Sequence, residues 1–106
     1  MYASIRTYHV GAGTMDGLMH RVAPDLADAL SVEPGFVGHQ AIATAEDTLV
    51  SISIFRTLDE ARSTDVLVGQ WLREDLADFG VEPTMIASGE VMVSRATGDM
   101  LEHTHH

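Results

Sequence analysis

The stretch Leu49-Val50-Ser51-Ile52-Ser53-Ile54-Phe55-Arg56-Thr57-Leu58-Asp59-Glu60-Ala61 changes its period part-way along. Val50, Ile52 and Ile54 alternate with Ser51 and Ser53, the two-residue period of a strand, predicted over 48–56. Thr57 and Glu60 then have capping-box spacing, a hydroxyl followed three residues later by a carboxylate, which opens a helix. Ala61, Val68, Trp71, Leu72, Leu76 and Phe79 supply its apolar stripe. Ser63-Thr64-Asp65 is a candidate break or second cap, and Gly80, followed by Val81 and Pro83, suits the left-handed end of a helix.

Upstream, residues 36–44 read as a strand joined to 48–56 by the polar turn Ala45-Glu46-Asp47, a hairpin. Glu33-Pro34-Gly35 closes an earlier helix whose stripe is Met15, Leu18, Met19, Val22, Leu26 and Leu30, with Thr14 as its cap. Pro24 lacks an N–H and its ring crowds the preceding turn, so a kink near 20–24 is expected, or a restart with Pro24 in a new first turn. Residues 2–10 form the first strand, ended by Gly11-Ala12-Gly13, and 84–95 the last, with Gly89 as a candidate bulge. The order β-α-β-β-α-β predicts an α+β domain of ferredoxin-like type, a four-stranded antiparallel sheet with both helices on one face.

That arrangement leaves the other face of the sheet uncovered, yet its strands carry apolar residues on both sides. Strand one offers Ala3, Ile5 and Thr7 on one side and Tyr2, Tyr8 and Val10 on the other; Val50, Ile52 and Ile54 oppose Leu49 and Phe55. Large exposed apolar patches are rare on monomers, so a homodimer packed sheet to sheet is expected.

Composition narrows the function. The 106 residues suit one domain, expected over 1–98, and the net charge is −10, with six arginines and no lysine. Such a surface repels phosphates and anionic membranes, so neither a nucleic acid nor a membrane is an expected partner. There is no cysteine, which excludes thiolate catalysis and cysteine-based metal centres and fits a cytoplasmic protein. The N-terminus lacks a signal-peptide pattern, and no apolar run approaches the roughly 20 residues of a membrane span. Residues 99–106, ending Leu-Glu-His-Thr-His-His, read as a tail containing an expression-tag remnant.

Two segments carry a resemblance: Glu33-Pro34-Gly35-Phe36-Val37-Gly38 after helix one, and Ser53-Ile54-Phe55-Arg56-Thr57-Leu58-Asp59-Glu60-Ala61 from strand three into helix two. With the βαββαβ order they make residues 2–95 resemble the antibiotic biosynthesis monooxygenase superfamily, whose members form dimeric α/β barrels. The resemblance implies a ligand cleft between helices and sheet in each subunit. It also implies, as one activity of the family, cofactor-independent oxygenation of a small aromatic or quinol-like compound. The haem-degrading branch uses an asparagine on strand one with a tryptophan and a histidine on helix two. Here the first position falls near Arg6, helix two has no histidine, and Trp71 is displaced by about two turns. No haem, other cofactor or metal is expected.

Oxygenation of an activatable phenol needs a base, a cation near the substrate anion and an aromatic wall. The candidate catalytic residues are His9 and His39 as bases on strands and Arg6 as the cation; Tyr8, Ser53 and Trp71 are candidates for substrate binding. Each has a plainer role: a hydrogen-bonded histidine, an ion pair across strands for Arg6, packing for Tyr8 and Trp71, and interface packing for Ser51 and Ser53. His20 is a weaker candidate base near Pro24, and Met15, Met19, Met85 and Met92 suit an adaptable pocket or core filling. No nucleophile elbow, histidine pair at i, i+4 or phosphate loop is present. The alternative to an enzyme is a non-catalytic dimeric domain that binds a small apolar ligand or serves assembly.

Overall fold

Eight β1 residues, Tyr2–His9, run through the middle of the sheet, where alternate side chains meet different surroundings. The computed structural model describes residues 1–74 and 79–95. After β1 come a single helical turn α1 (Met15–Gly17), a π-helical turn (Leu18–Val22) and α2 (Ala23–Ser31). Then follow β2 (Phe36–Ala45), β3 (Thr48–Phe55), α3 (Leu58–Glu74) and β4 (Glu82–Glu90). The strands lie in the order β2-β3-β1-β4, and every neighbouring pair is antiparallel. This is the expected ferredoxin-like sheet. The expected tail and the stripe residue Leu76 lie outside the described residues.

Helix one is continuous but changes winding. The Ala23 N–H bonds the Leu18 carbonyl, five residues back, and Pro24 sits in the first turn of α2. The missing N–H of Pro24 is absorbed by a wider turn and a restart, so the restart expected at this proline is what the chain adopts. Thr14 does not cap the helix. Its hydroxyl instead lies 2.7 Å from the Gly11 carbonyl and 2.9 Å from that of Phe79, tying the two chain reversals together. Gly11 and Gly80 meet there, so closely that a Cβ on Gly11 would stand 2.9 Å from the Phe79 oxygen.

Thr57 caps the helix as read, with the Glu60 N–H on the Thr57 hydroxyl at 3.2 Å, while the Glu60 carboxylate accepts from that hydroxyl at 2.9 Å rather than from the Thr57 N–H. Glu60 also explains Gly35: φ is +77°, and a Cβ there would overlap the Glu60 carboxylate. The Ser63-Thr64-Asp65 segment does not break α3. Ser63 and Thr64 donate their hydroxyls to the carbonyls of Asp59 and Glu60, one turn back, and the helix runs on.

β4 starts earlier and ends earlier than read, and its bulge falls at Thr84 rather than Gly89. Pro83 is tolerated because β4 is an edge strand. Beyond Glu90, which pairs with Tyr2, β1 offers no residue to continue the ladder except Met1, whose carbonyl takes the Val91 N–H.

Ser4, Arg6, Tyr8 and Val10 of strand one and Leu49, Ser51, Ser53 and Phe55 of β3 are buried beneath the helices. Val10, Tyr8 and Leu49 form the apolar core with Leu18, Leu30 and Val68. The opposite face carries Ile5 against Ile52, flanked by Ala87 and Gln40 in register, and no element among the described residues covers it.

Candidate functional site

Two-residue alternation turns Ser4, Arg6 and Tyr8 toward the helices, and the β1–β3 register sets Ser53 opposite Ser4 and Ser51 opposite Arg6. Arg6 is thus held beneath the helix layer, only 1% exposed. A buried cation needs a partner, and it comes from α3 rather than from a neighbouring strand. Asp65 Oδ1 accepts from Arg6 Nε at 2.8 Å and from the Ser4 hydroxyl at 2.6 Å. Arg6 Nη2 is 2.7 Å from the same oxygen, but its N–H lacks hydrogen-bond alignment. Arg6 Nη1 donates weakly to Ser51 Oγ at 3.4 Å and Ser53 Oγ at 3.3 Å.

The network continues to β2, where His39 stands opposite Ser53 in register. His39 Nδ1 lies 2.9 Å from Ser53 Oγ. Burial, together with the nearby Arg6 charge, lowers the His39 pKa to about 4, so the imidazole is neutral near pH 7. The Tyr8 hydroxyl is buried with no hydrogen-bond partner among the described residues. Burial pushes its pKa up to about 12; the Arg6 charge opposes the rise and that of Asp65 adds to it, and the Arg6 guanidinium also lies near enough to the hydroxyl to oppose the rise by direct contact, without the alignment of a hydrogen bond.

Tyr8, His39 and Ser51 of this cluster border a small cavity of about 30 Å³ between sheet and helices, whose surface is almost entirely apolar. Leu18, Val22 and Leu26 from helix one supply much of that surface. The π-helical turn contributes both Leu18 and Val22. On the other side of Tyr8, between α3 and β4, lies an open groove of about 320 Å³ bordered by Arg6, Asp65, Gly69 and Ile86. An apolar cavity of about 150 Å³ is known to hold benzene, so the small cavity is too tight for a ring and the groove has room for one.

The structure therefore joins Arg6, Tyr8, Ser53 and His39. It places the other two candidates elsewhere. His9 lies on the opposite face of β1, 53% exposed and 3.8 Å from Asp47. Trp71 is half-buried on α3 and does not line the cavity. Met15 and Met19 pack against the core, whereas Met85 and Met92 are exposed. Asp65 and Ser4 escaped the sequence reading. Asp65 could have been found, because it lies four residues after Ala61 and three before Val68, a carboxylate on the buried stripe. Among the described residues no group of three or more His, Asp or Glu side chains is placed to hold a metal ion.

A buried hydroxyl without a partner lowers stability, so Tyr8→Phe is expected to leave stability unchanged or raise it by about 1 kcal/mol in urea unfolding. A loss above about 1 kcal/mol would show that the hydroxyl has a structural partner.

His39 predicts a pH effect. Its folded pKa, about 4, is below the ordinary 6.5, so between these values the unfolded chain binds more protons. The contribution to stability is complete above about pH 6.5 and is lost as pH falls toward 4. His39→Gln should flatten the unfolding profile over that window; an unchanged difference between pH 7 and pH 4.5 would contradict it.

No family model matches the chain, and no curated protein does. Solved structures do. SnoaB from Streptomyces nogalater, a cofactor-independent oxygenase, superposes with a TM-score of 0.68 at 14% identity, covering 88% of this chain and 94% of its own. A candidate antibiotic biosynthesis monooxygenase from Chloroflexus aurantiacus gives 0.66 at 14% identity over 92% and 98%. This chain shares the ferredoxin-like fold of both structures. A dimeric ferredoxin-like protein from an uncultured marine organism also shares the fold, with a TM-score of 0.62 at 12% identity over 92% of this chain and all, 100%, of the other. In this ferredoxin-like fold, the polar cluster lies where β1, β2 and β3 pass beneath α3 and helix one. No helix among the described residues is long and apolar enough to cross a membrane.

Proposed function

We propose that this chain is a cytoplasmic, homodimeric, cofactor-independent monooxygenase acting on a small aromatic or quinol-like compound at the helix–sheet site. The observation that carries this reading is the buried cluster of Arg6, Ser51, Ser53, His39 and the unpartnered Tyr8 hydroxyl beside an apolar cavity. Folded chains rarely keep such a hydroxyl unsatisfied without a use for it. The fold shared with a cofactor-independent oxygenase supports the reaction type, and the uncovered Ile5–Ile52 face supports the dimer.

The chemistry suits a polar cluster in an apolar pocket. Donors that favour the substrate anion lower the substrate pKa, and the proton departs to water. The quinol anion gives one electron to dioxygen, and the resulting pair joins as a peroxide at a ring carbon. Loss of water leaves a new carbonyl: one oxygen atom enters the product, the other leaves in water, and the substrate supplies the electrons. A ring needs more room than the small cavity has, so the reading requires the substrate to occupy the α3–β4 groove as well, which shares Tyr8, Val68, Leu72 and Val81 with the cavity.

Oxygen uptake with a panel of hydroquinones tests this. Uptake above the buffer blank, one oxygen per substrate and at least tenfold lower in His39→Gln, is the expected result. No uptake above blank for any hydroquinone would sink the enzyme reading. The small, almost entirely apolar cavity favours, as the second reading, a non-catalytic domain binding a small apolar ligand, and binding without uptake would select it.

A further inference from the structure

The hydrogen-bond directions around Arg6 follow from donor counting. A guanidinium has only N–H donors, so Ser51 Oγ and Ser53 Oγ both accept from Nη1. The Ser53 side chain is fully buried, and the only acceptor its proton reaches among the described residues is His39 Nδ1. If the imidazole donated instead, that buried proton would have no acceptor, an arrangement folded proteins avoid. Nδ1 therefore accepts, and a neutral imidazole with an accepting Nδ1 carries its proton on Nε2. His39 lines the cavity, and Nε2 has no protein partner among the described residues.

The same logic orients the other polar groups. Ser51, 5% exposed, accepts from Arg6, and its own proton has no protein acceptor among the described residues. Tyr8, 4% exposed, carries a buried hydroxyl with no aligned hydrogen-bond partner among the described residues.

We infer that Ser53 holds His39 as its Nε2–H tautomer, so that toward a ligand oxygen in this site His39 is a hydrogen-bond donor rather than a base. The quinone or phenolate class rests on the function proposed above; the His39 tautomer does not.

Long-range proton–nitrogen correlation spectra of the ¹⁵N-labelled protein at pH 7, with His39→Gln for assignment, read the tautomer directly. The expected pattern is a protonated Nε2 and a pyridine-type Nδ1, converted to a tautomer mixture in Ser53→Ala. A proton on Nδ1 or an even mixture in the wild type, or no change in Ser53→Ala, overturns the assignment. Titration with 1,4-naphthoquinone should shift the His39 Nε2 resonance saturably. No saturable shift overturns the donor role. If these results hold while hydroquinones give no oxygen uptake, only the oxygenase reading falls.

Discussion

Asp65→Ala is expected to lose about 3 kcal/mol of folding stability, measured as a lower urea midpoint with an unchanged slope. The mechanism is the orphaning of Arg6. With the carboxylate gone, a guanidinium only 1% exposed keeps just two long contacts, to Ser51 and Ser53. Breaking a buried ion pair from one side costs about 3–5 kcal/mol; the low end applies because the Asp65 side chain is 25% exposed and water can approach it. A small domain has only about 5–15 kcal/mol in total, so the variant stands near the limit of folding. The paired replacement Arg6→Met with Asp65→Leu separates charge from packing. It should recover most of the loss, because two apolar side chains leave no buried charge. A loss below about 1 kcal/mol in Asp65→Ala would mean that Arg6 finds another partner. The double variant should also abolish whatever oxygen uptake the wild type shows, since Arg6 polarises the cluster.

Ile52→Asp is expected to convert a dimer into a monomer. Ile52 lies on the uncovered sheet face, paired with Ile5 on one side and Gln40 on the other, and Val50 and Ile54 flank it on β3. If two copies pack by this face, a two-fold axis brings both substituted side chains into the apolar interface. Each unpaired carboxylate would then lose its hydration at a cost of several kcal/mol, enough to dissociate a micromolar complex. Multi-angle light scattering should give twice the 11.5 kDa chain mass for the wild type and about the single mass for the variant. A monomeric wild type at micromolar concentration would remove the dimer from the proposed function. An unchanged dimer in Ile52→Asp would move the interface to another surface.

Much of the fold was legible because its signals are local. The alternation of Val50, Ile52 and Ile54, the Thr57–Glu60 cap and the Glu33-Pro34-Gly35 turn each act within a few residues, and each forms as read. Pro24 announced its disturbance, since a missing N–H must be accommodated wherever the helix lies. The ends of β4 were not legible. They depend on where β1 begins and on which strand takes the edge, both set by pairing between residues some eighty positions apart in the chain.

The candidate site divides in the same way. Arg6, Tyr8, Ser51, Ser53 and His39 could be read from the sequence as polar groups on strands, and alternation alone puts Arg6 and Tyr8 on one face. Their assembly could not be read. Ser4, Arg6 and Asp65 are brought together across a separation of about sixty residues, and His39 meets Ser53 only through the β2–β3 register. His9 and His39 are both histidines on strands in the sequence, and the sheet sends one outward and the other inward. By itself, then, the sequence determined the elements, their order and the side chains that each strand turns to either face, because those depend on periodicity and nearby chain chemistry. Only the tertiary structure decided which polar groups share a buried space, because helix-to-sheet docking and strand register act between distant residues. The low dielectric of that space lowers the His39 pKa and raises that of Tyr8.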